Sequence, residues 1–234
     1  MSPPPMAPRA SLPVSLPAPP FLVITDRNQA VQPLPDLAEH LFALGVRWLS
    51  LRDKDLPEPE RVALGRALVA RARPFSAVVT LHGDAAPALA AGAAGVHLPD
   101  GGDVARARAL LGSRALIGVS AHDAAGVARA SAAGADYATL SPVFASASKP
   151  GYGPCLGPGG LRQTAGAAGG GPGLPVVALG GIEDAAAVAA CLAAGAGGVA
   201  VMGTAMRDPD AVARLLAGFP PAVAGGVRRD DPPG

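Results

Sequence analysis

The sequence predicts an α/β chain folded as a single (β/α)8 TIM barrel. Two observations lead to this prediction: a helix-to-strand joint recurs along the chain, and eight strand-like apolar runs fit into 234 residues. The joint reads ALGVRWLSL at 43–51, AAGAAGVHL at 90–98, AAGADYATL at 132–140 and AAGAGGVAV at 193–201. In each case a glycine ends an Ala-rich helical pattern, and a continuous apolar run typical of a buried parallel strand follows.

The elements follow one another in a regular order. The strands are expected at 21–26, 48–54, 77–82, 95–99, 115–122, 137–144, 175–181 and 198–203. Amphipathic patterns predict helices at 58–72, 84–91, 103–111, 123–133 and 184–194. The helix after the sixth strand has no clear pattern, and we expect there a long loop and a flexible, Gly-rich stretch at 164–174. An open doubly wound sheet is the alternative, but a count of eight units favours closure.

Composition sets the domain organisation and excludes several function classes. Residues 1–20 are expected to form a disordered Pro-rich leader, 21–218 the barrel and 219–234 a flexible tail. A formal net charge of +1 gives no general field for nucleic acid, and no apolar run is long enough to cross a membrane. Cys155 and Cys191 have neither metal-binding spacing nor a disulfide framework, which is typical of a reducing, cytoplasmic protein.

Glycines at the ends of the last two strands predict a phosphate site. Gly180 and Gly181 end the seventh strand and lead into a helix, and Gly203 ends the eighth. Glycine lets a phosphate approach the backbone amides, and barrels often bind phosphate after strands seven and eight. The alternative is that these glycines only form tight turns.

A second set of residues predicts a polyanion site. Guanidinium, ammonium and hydroxyl donors suit an oxyanion with several charges, such as a pyrophosphate. The candidates are Arg52, Lys54, Ser146, Ser148 and Lys149. The alternative is that these residues are solvated surface charge.

Three histidines come from consecutive strands. His82, His97 and His122 could together form a three-histidine zinc site. The preferred interpretation is one base, one packed histidine and one loop histidine, because neighbouring residues of a strand point to opposite faces. His40 falls on a predicted helix and is expected at the surface.

Seven segments, in order over residues 21–206, resemble the thiamine phosphate synthase/TenI family. They are LVITD, LSLRDK, GAAGVHLP, IGVSAH, GADYATLSPVFASASKPGYGPCLG, PVVALGGI and GVAVMGTAM. The resemblance implies a (β/α)8 barrel that joins a pyrimidine methyl pyrophosphate to a thiazole phosphate. Pyrophosphate is released with the assistance of Mg²⁺. The implied partners are these two phosphorylated small molecules, and a homo-oligomer is compatible with the sequence.

The resemblance also implies roles for individual residues. The pyrophosphate would be held by Arg52, Lys54, Ser146, Ser148 and Lys149. The thiazole phosphate would lie at Gly180, Gly181 and Gly203, with Met202 beside them. His97 and Ser120 would line the pyrimidine and leaving-group site. The expected catalytic set is Lys149, Ser120, His82 and His122.

The chain departs from the family pattern at the metal ligands. The synthase pattern that this chain resembles has an Asn-Asp pair after the third strand, and its Asp is a magnesium ligand. This chain has His82 and Gly83 at those two positions. A shifted alignment leaves Asp84, Asp100 and Asp103 as the candidate Mg²⁺ ligands. The synthase glutamine of the second strand is replaced by Ser50.

Several functions therefore stay open. The synthase-type transferase is preferred because the pyrophosphate residues are kept. A TenI-type thiazole phosphate tautomerase would lack its strand-six histidine, which aligns with Pro142, and would need His82 or His122 for proton transfer. A non-catalytic protein that binds thiazole or thiamine phosphate, and a zinc hydrolase, are the remaining alternatives.

Overall fold

The computed structural model describes residues 15–145, 154–167 and 173–220. These residues contain eight strands, nine α-helices and one short 3-10 helix, Arg73–Phe75. The strands are β1 (Phe21–Ile24), β2 (Trp48–Leu51), β3 (Val78–His82), β4 (Gly95–Leu98), β5 (Leu116–Ala121), β6 (Tyr137–Leu140), β7 (Val176–Leu179) and β8 (Gly198–Val201). The helices are α1 (Leu34–Ala43), α2 (Glu58–Ala72), α3 (Ala85–Ala91), α4 (Val104–Leu111), α5 (Ala124–Ala132), α6 (Gly157–Ala167), α7 (Ala185–Ala193), α8 (Gly203–Arg207) and α9 (Ala211–Leu216).

The sheet closes on itself. Each strand pairs in parallel with the next, and β8 pairs with β1, so that Phe21 lies opposite Val199 and Val23 opposite Val201. The predicted barrel is confirmed, and the open doubly wound sheet is wrong. Closure brings the carboxyl ends of all eight strands to one rim, which we call the mouth.

Two hydrophobic cores lie on the two sides of the strands. The outer core fills the space between strands and helices with Leu, Val and Ala side chains. The inner cluster fills the barrel itself and consists of Leu22, Ile24, Trp48, Leu116, Tyr137, Val177 and Ala200. Within it the rings of Trp48 and Tyr137 meet edge-on, with centroids 4.7 Å apart. The two largest side chains of the barrel interior therefore pack against each other.

The last residues of the expected leader are packed against the barrel. Leu16 packs against the inner cluster, and the Val199 amide donates to the Pro20 carbonyl at 3.0 Å. Residues 15–20 are thus held against the barrel because their apolar groups and carbonyls find partners there. The rest of the expected leader, 1–14, lies outside the described residues.

The other predicted terminal segment begins with a packed residue. The ring of Phe219 meets that of Phe21 edge-on at 6.1 Å. Beyond Pro220, the predicted tail lies outside the described residues.

The segment after β6 contains a helix that the sequence did not predict. Helix α6 reaches Ala167 and so overlaps the stretch 164–174 that was expected to be flexible. Leu161 and Thr164 are buried on its inner side, and α6 packs beside α5 and α7. The flexible interpretation is therefore wrong for 164–167, because burial of this face offsets the low helix propensity of its glycines. Residues 168–172 lie outside the described part.

The remaining observations concern membrane-spanning helices and the cysteines. Within the described ranges no helix is long and apolar enough to cross a membrane. Both cysteines are unpaired thiols, with Cys155 exposed and Cys191 buried. Burial raises the pKa of the Cys191 thiol to about 11, so Cys191 behaves as a packed apolar residue.

Candidate functional site

Polar side chains replace the inner cluster towards the mouth. Ser50, Thr80, His82, His97 and Thr139 are all buried, although each carries a polar group. They face the barrel interior, because side chains alternate along a strand and their neighbours in sequence belong to the outer core. The mouth is therefore lined by hydrogen-bonding groups above an apolar floor.

Both ring nitrogens of His97 have hydrogen-bond partners. Its Nδ1 lies 3.0 Å from the Tyr137 hydroxyl, and its Nε2 lies 3.0 Å from Ser120 Oγ and 3.3 Å from Thr139 Oγ1. Burial, assisted by the positive charge of Lys54, lowers the pKa of His97 to about 3. His97 is thus a neutral imidazole at pH 7, with one donor and one acceptor nitrogen.

His82 lies beside His97 and has an unused nitrogen. The two residues are opposite each other in the β3–β4 ladder, and their ring centroids are 4.5 Å apart. His82 Nε2 is buried without a hydrogen-bond partner among the described residues. Burial, followed by the charges of His97, Arg52 and Lys54, holds the pKa of His82 well below its usual range. His82 is consequently neutral at pH 7, which argues against the expectation that it donates a proton there.

The three histidines do not converge. His122 is exposed, and its Nδ1 lies 3.0 Å from the Ser141 carbonyl instead of facing the other two rings. In the part of the chain that the structure describes, no three His, Cys, Asp or Glu side chains are grouped to hold a metal. The three-histidine zinc interpretation therefore has no site among these residues. His97 is packed and His122 lies at the exposed end of its strand, while the expected base among the three stays a prediction.

The three candidate magnesium carboxylates also stand apart. Asp103 accepts from the Arg106 amide at 2.9 Å and so caps α4, while Asp100 pairs with Arg129 at 3.1 Å. Asp84 precedes α3 and is exposed. Since two of the three are engaged elsewhere, the described carboxylates do not fit a Mg²⁺ site.

A buried carboxylate positions the backbone of Arg52. The side chain of Asp53 is only 1% exposed and accepts from Thr25 Oγ1 at 2.6 Å and from the Arg27 amide at 2.7 Å. The Arg52 amide in turn donates to Thr25 Oγ1 at 3.0 Å. The β1 and β2 ends are thereby tied together, with Arg52 half-buried and Lys54 exposed at the mouth.

Sequence reasoning missed Asp53 as a structural group. It lies in the charged run RDKD, which has no periodicity that separates a buried acid from exposed ones. The signal that was available is Thr25, a hydroxyl residue at the end of the neighbouring strand.

The glycines after β7 bring two loops into close contact. Gly180 and Gly181 have φ values of +105° and +65°, which favour glycine. A Cβ on Gly181 would lie 2.3 Å from the Ala145 carbonyl oxygen and 2.7 Å from Phe144 Cβ. Close packing against the loop after β6 thus requires glycine at 181 independently of any ligand. Gly180 and Gly181 therefore form a tight turn, and this does not exclude the predicted phosphate site at the same residues.

The remaining predicted residues fall at or beyond this contact. Gly203 is buried at the start of α8, and half-buried Met202 packs against the inner cluster. Ser146, Ser148 and Lys149 lie in 146–153, outside the described residues, directly after Ala145. The chain thus enters that segment from the mouth, beside Gly181.

Comparisons with known proteins agree on one family. The family model described as thiamine monophosphate synthase matches residues 21–205. A protein of Geobacter sulfurreducens with a provisional thiamine-phosphate synthase name is 45% identical over 204 residues, 85% of this chain and 93% of that protein. A thiamine-phosphate synthase of Thioalkalivibrio sulfidiphilus is 39% identical over 205 residues, 84% of this chain and 92% of the relative.

A solved structure is similar as well. The thiamine phosphate pyrophosphorylase of Pyrococcus furiosus superposes with a TM-score of 0.71 at 26% identity. The match covers 84% of this chain and 92% of that one.

Proposed function

Because this chain belongs to the thiamine monophosphate synthase family, we propose that it joins a pyrimidine methyl pyrophosphate to a thiazole phosphate. In this reaction the bond between the methylene carbon and the pyrophosphate oxygen breaks, and a bond from the thiazole nitrogen to that carbon forms. The products are thiamine phosphate and pyrophosphate. The protein acts by binding and orienting two anions and by stabilising the charge that develops on the leaving group.

The mouth is the proposed place of this reaction. The observation that carries the proposal is the grouping of Arg52 and Lys54 with two neutral, buried histidines. Burial is the main cause of both lowered histidine pKa values, and the charges of Lys54, for both, and of Arg52, for His82, add to it; these two cations also attract a polyanion. His82 and His97 are uncharged, so a neutral pyrimidine ring can lie against them without removing water from a charged side chain, which would be costly.

We assign the two anions to different strand ends around the mouth. Pyrophosphate is proposed to bind Arg52, Lys54 and Ser120, together with Ser146, Ser148 and Lys149 of the neighbouring loop. The thiazole phosphate is proposed to bind at Gly180, Gly181 and Gly203, beside Met202. Since the described carboxylates do not fit Mg²⁺, no step of the reaction is assigned to the ion.

The tautomerase alternative needs a group that exchanges a proton near pH 7. His82 has a strongly lowered pKa, and His122 faces the Ser141 carbonyl at the exposed edge of the mouth. Neither placement favours proton transfer over anion binding. The transferase is therefore the function that the geometry supports best.

A direct assay tests the proposal. The full chain is incubated with both precursors, and pyrophosphate release and thiamine phosphate are measured together. We expect turnover, and an Arg52→Gln variant should lose about tenfold or more in kcat/KM because one charged hydrogen bond is removed. Arg114→Gln, an exposed arginine before β5 at the opposite rim, is the matched control and should retain activity. Binding of both precursors without turnover would instead identify a non-catalytic binding protein.

A further inference from the structure

A row of hydrogen-bonded side chains crosses the barrel interior and ends at the mouth. At the inner end Thr80 Oγ1 donates to Ser50 Oγ at 2.9 Å. The Tyr137 hydroxyl lies 3.0 Å from His97 Nδ1, and His97 Nε2 lies 3.0 Å from Ser120 Oγ. Every member is buried except Ser120, which is half-buried. Ser120 is thus the point at which this row meets a ligand.

The neutral ring of His97 links the two ends of the row. A neutral imidazole carries one proton, so one nitrogen donates and the other accepts. If Nδ1 accepts from the Tyr137 hydroxyl, then Nε2–H donates to Ser120. If Nδ1 carries the proton, Nε2 accepts instead, from Ser120 Oγ at 3.0 Å or from Thr139 Oγ1 at 3.3 Å. The state of Tyr137 and the direction of the Ser120 hydroxyl are therefore coupled through one proton.

The Nε2–H arrangement is the one in which His97 donates to Ser120 while Ser120 donates to an anion at the mouth. Anionic oxygens accept hydrogen bonds, so Ser120 must direct its proton outwards, which leaves its oxygen to accept from His97. That arrangement requires the Nε2–H tautomer and a donor at Nδ1. Tyr137 supplies the donor, because burial raises the pKa of its hydroxyl and keeps it protonated.

We infer that Tyr137 is a positioning residue, which acts through His97 to make Ser120 a hydrogen-bond donor to the pyrophosphate group. The inference rests on the proposed function, since it assumes that this anion binds at the mouth. It adds a residue at the start of β6, in the inner cluster, to the residues that determine how the leaving group is held.

The surroundings of Tyr137 are shaped to hold its ring in this place. A Cβ on Gly118, opposite it in the β5–β6 ladder, would lie 2.0 Å from Tyr137 Cζ. Trp48 packs edge-on against the other side. A phenylalanine fills the same space, so Tyr137→Phe removes the hydroxyl and keeps the packing.

Nuclear magnetic resonance of the full chain labelled with 15N-histidine tests the coupling. At pH 7 with inorganic pyrophosphate, we expect His97 to be protonated at Nε2 and to show the shift of a hydrogen-bonded acceptor at Nδ1. In Tyr137→Phe the 15N chemical shift of His97 Nδ1 should change to the value of a nitrogen that accepts no hydrogen bond. Trp48→Phe, which changes the packing of Tyr137 but not its hydroxyl, should leave both signals in place.

Calorimetry with inorganic pyrophosphate supplies the second readout. Loss of one hydrogen bond to a charged group predicts about tenfold weaker binding for Ser120→Ala, and loss of the more distant donor about threefold for Tyr137→Phe. If Tyr137 acts through Ser120, then Tyr137→Phe has no further effect in the Ser120→Ala background.

The outcomes separate the inference from the proposed function. Effects of Tyr137→Phe and Ser120→Ala that simply add, or an Nδ1–H tautomer in the pyrophosphate complex, overturn the coupling alone. If the wild-type protein does not bind pyrophosphate, the proposed function and the inference fail together.

Discussion

The two buried histidines make the stability of this barrel depend on pH. The pKa of His97 is about 3 in the folded chain, against 6.5 for the unperturbed group. Between these values the unfolded chain binds a proton that the folded chain does not, so folding becomes less favourable as pH falls. The contribution is fully present above pH 6.5 and is lost as pH decreases towards 3.

The size of this effect follows from the separation of the two pKa values. Each pH unit between them corresponds to about 1.4 kcal/mol, so His97 alone accounts for roughly 5 kcal/mol between pH 6.5 and 3. His82 shifts in the same direction for the same reason, burial. Near pH 5 His97 alone should therefore lower the free energy of unfolding by about 1.4 kcal/mol for each pH unit of acidification, and His82 adds to this slope in the same direction.

Urea unfolding followed by circular dichroism between pH 5 and 6.5 measures this slope. In His97→Gln, which lacks this titrating group, the slope should decrease by about 1.4 kcal/mol per pH unit, whatever the stability of the variant at pH 7. His122→Gln is the matched control, because His122 is exposed at the mouth. A slope in His97→Gln equal to that of the wild type would show that His97 is not held neutral by burial, and the reasoning would be refuted.

Two glycine substitutions test the close contacts described above. Gly118→Ala places a methyl group against the Tyr137 ring and should lower the free energy of unfolding by about 3 kcal/mol. Gly159→Ala is the control: its methyl group points into open space on α6 and should stabilise the protein by up to about 1 kcal/mol. Urea unfolding measures both variants. Equal stabilities would contradict the packing. Gly181→Ala should raise the KM for the thiazole phosphate, because the turn must move away from Ala145. Gly195→Ala is the control: it has similar backbone strain at the opposite rim of the barrel and should change stability only. Unchanged KM in Gly181→Ala would remove that turn from the substrate site.

The barrel was predictable because its signals are local. At each joint a glycine ends a helix and a continuous apolar run begins, so the eight strands lie within one to four residues of their predicted bounds. Helix α6 escaped prediction because its sequence, GPGGLRQTAGA, has poor helix propensity, and its stability comes from Leu161 and Thr164 packing inwards. Contacts with other elements cannot be seen in the segment itself.

The interior of the mouth was less predictable. His97 and Ser120 were expected near the ligand, but the hydroxyl between His97 and the apolar floor belongs to Tyr137, the first residue of its strand. Its place depends on register across three strands, where His97 lies opposite Gly118 and Gly118 opposite Tyr137. A one-residue slip would have turned Tyr137 outwards, and sequence patterns do not fix register to that precision.

The pairing of β1 with β8 has a consequence for synthesis of the chain on the ribosome. Phe21 and Val23 emerge early, yet the strand that covers their outer edge begins only at Gly198. Throughout most of translation the nascent protein therefore carries an unpaired strand edge that can pair wrongly with other chains. The prolines of 15–20 precede this edge and donate no amide hydrogen bonds, so they limit how far such a wrong pairing can extend beyond Phe21. Completion of the barrel, and with it the mouth, waits for nearly the whole described chain to be made.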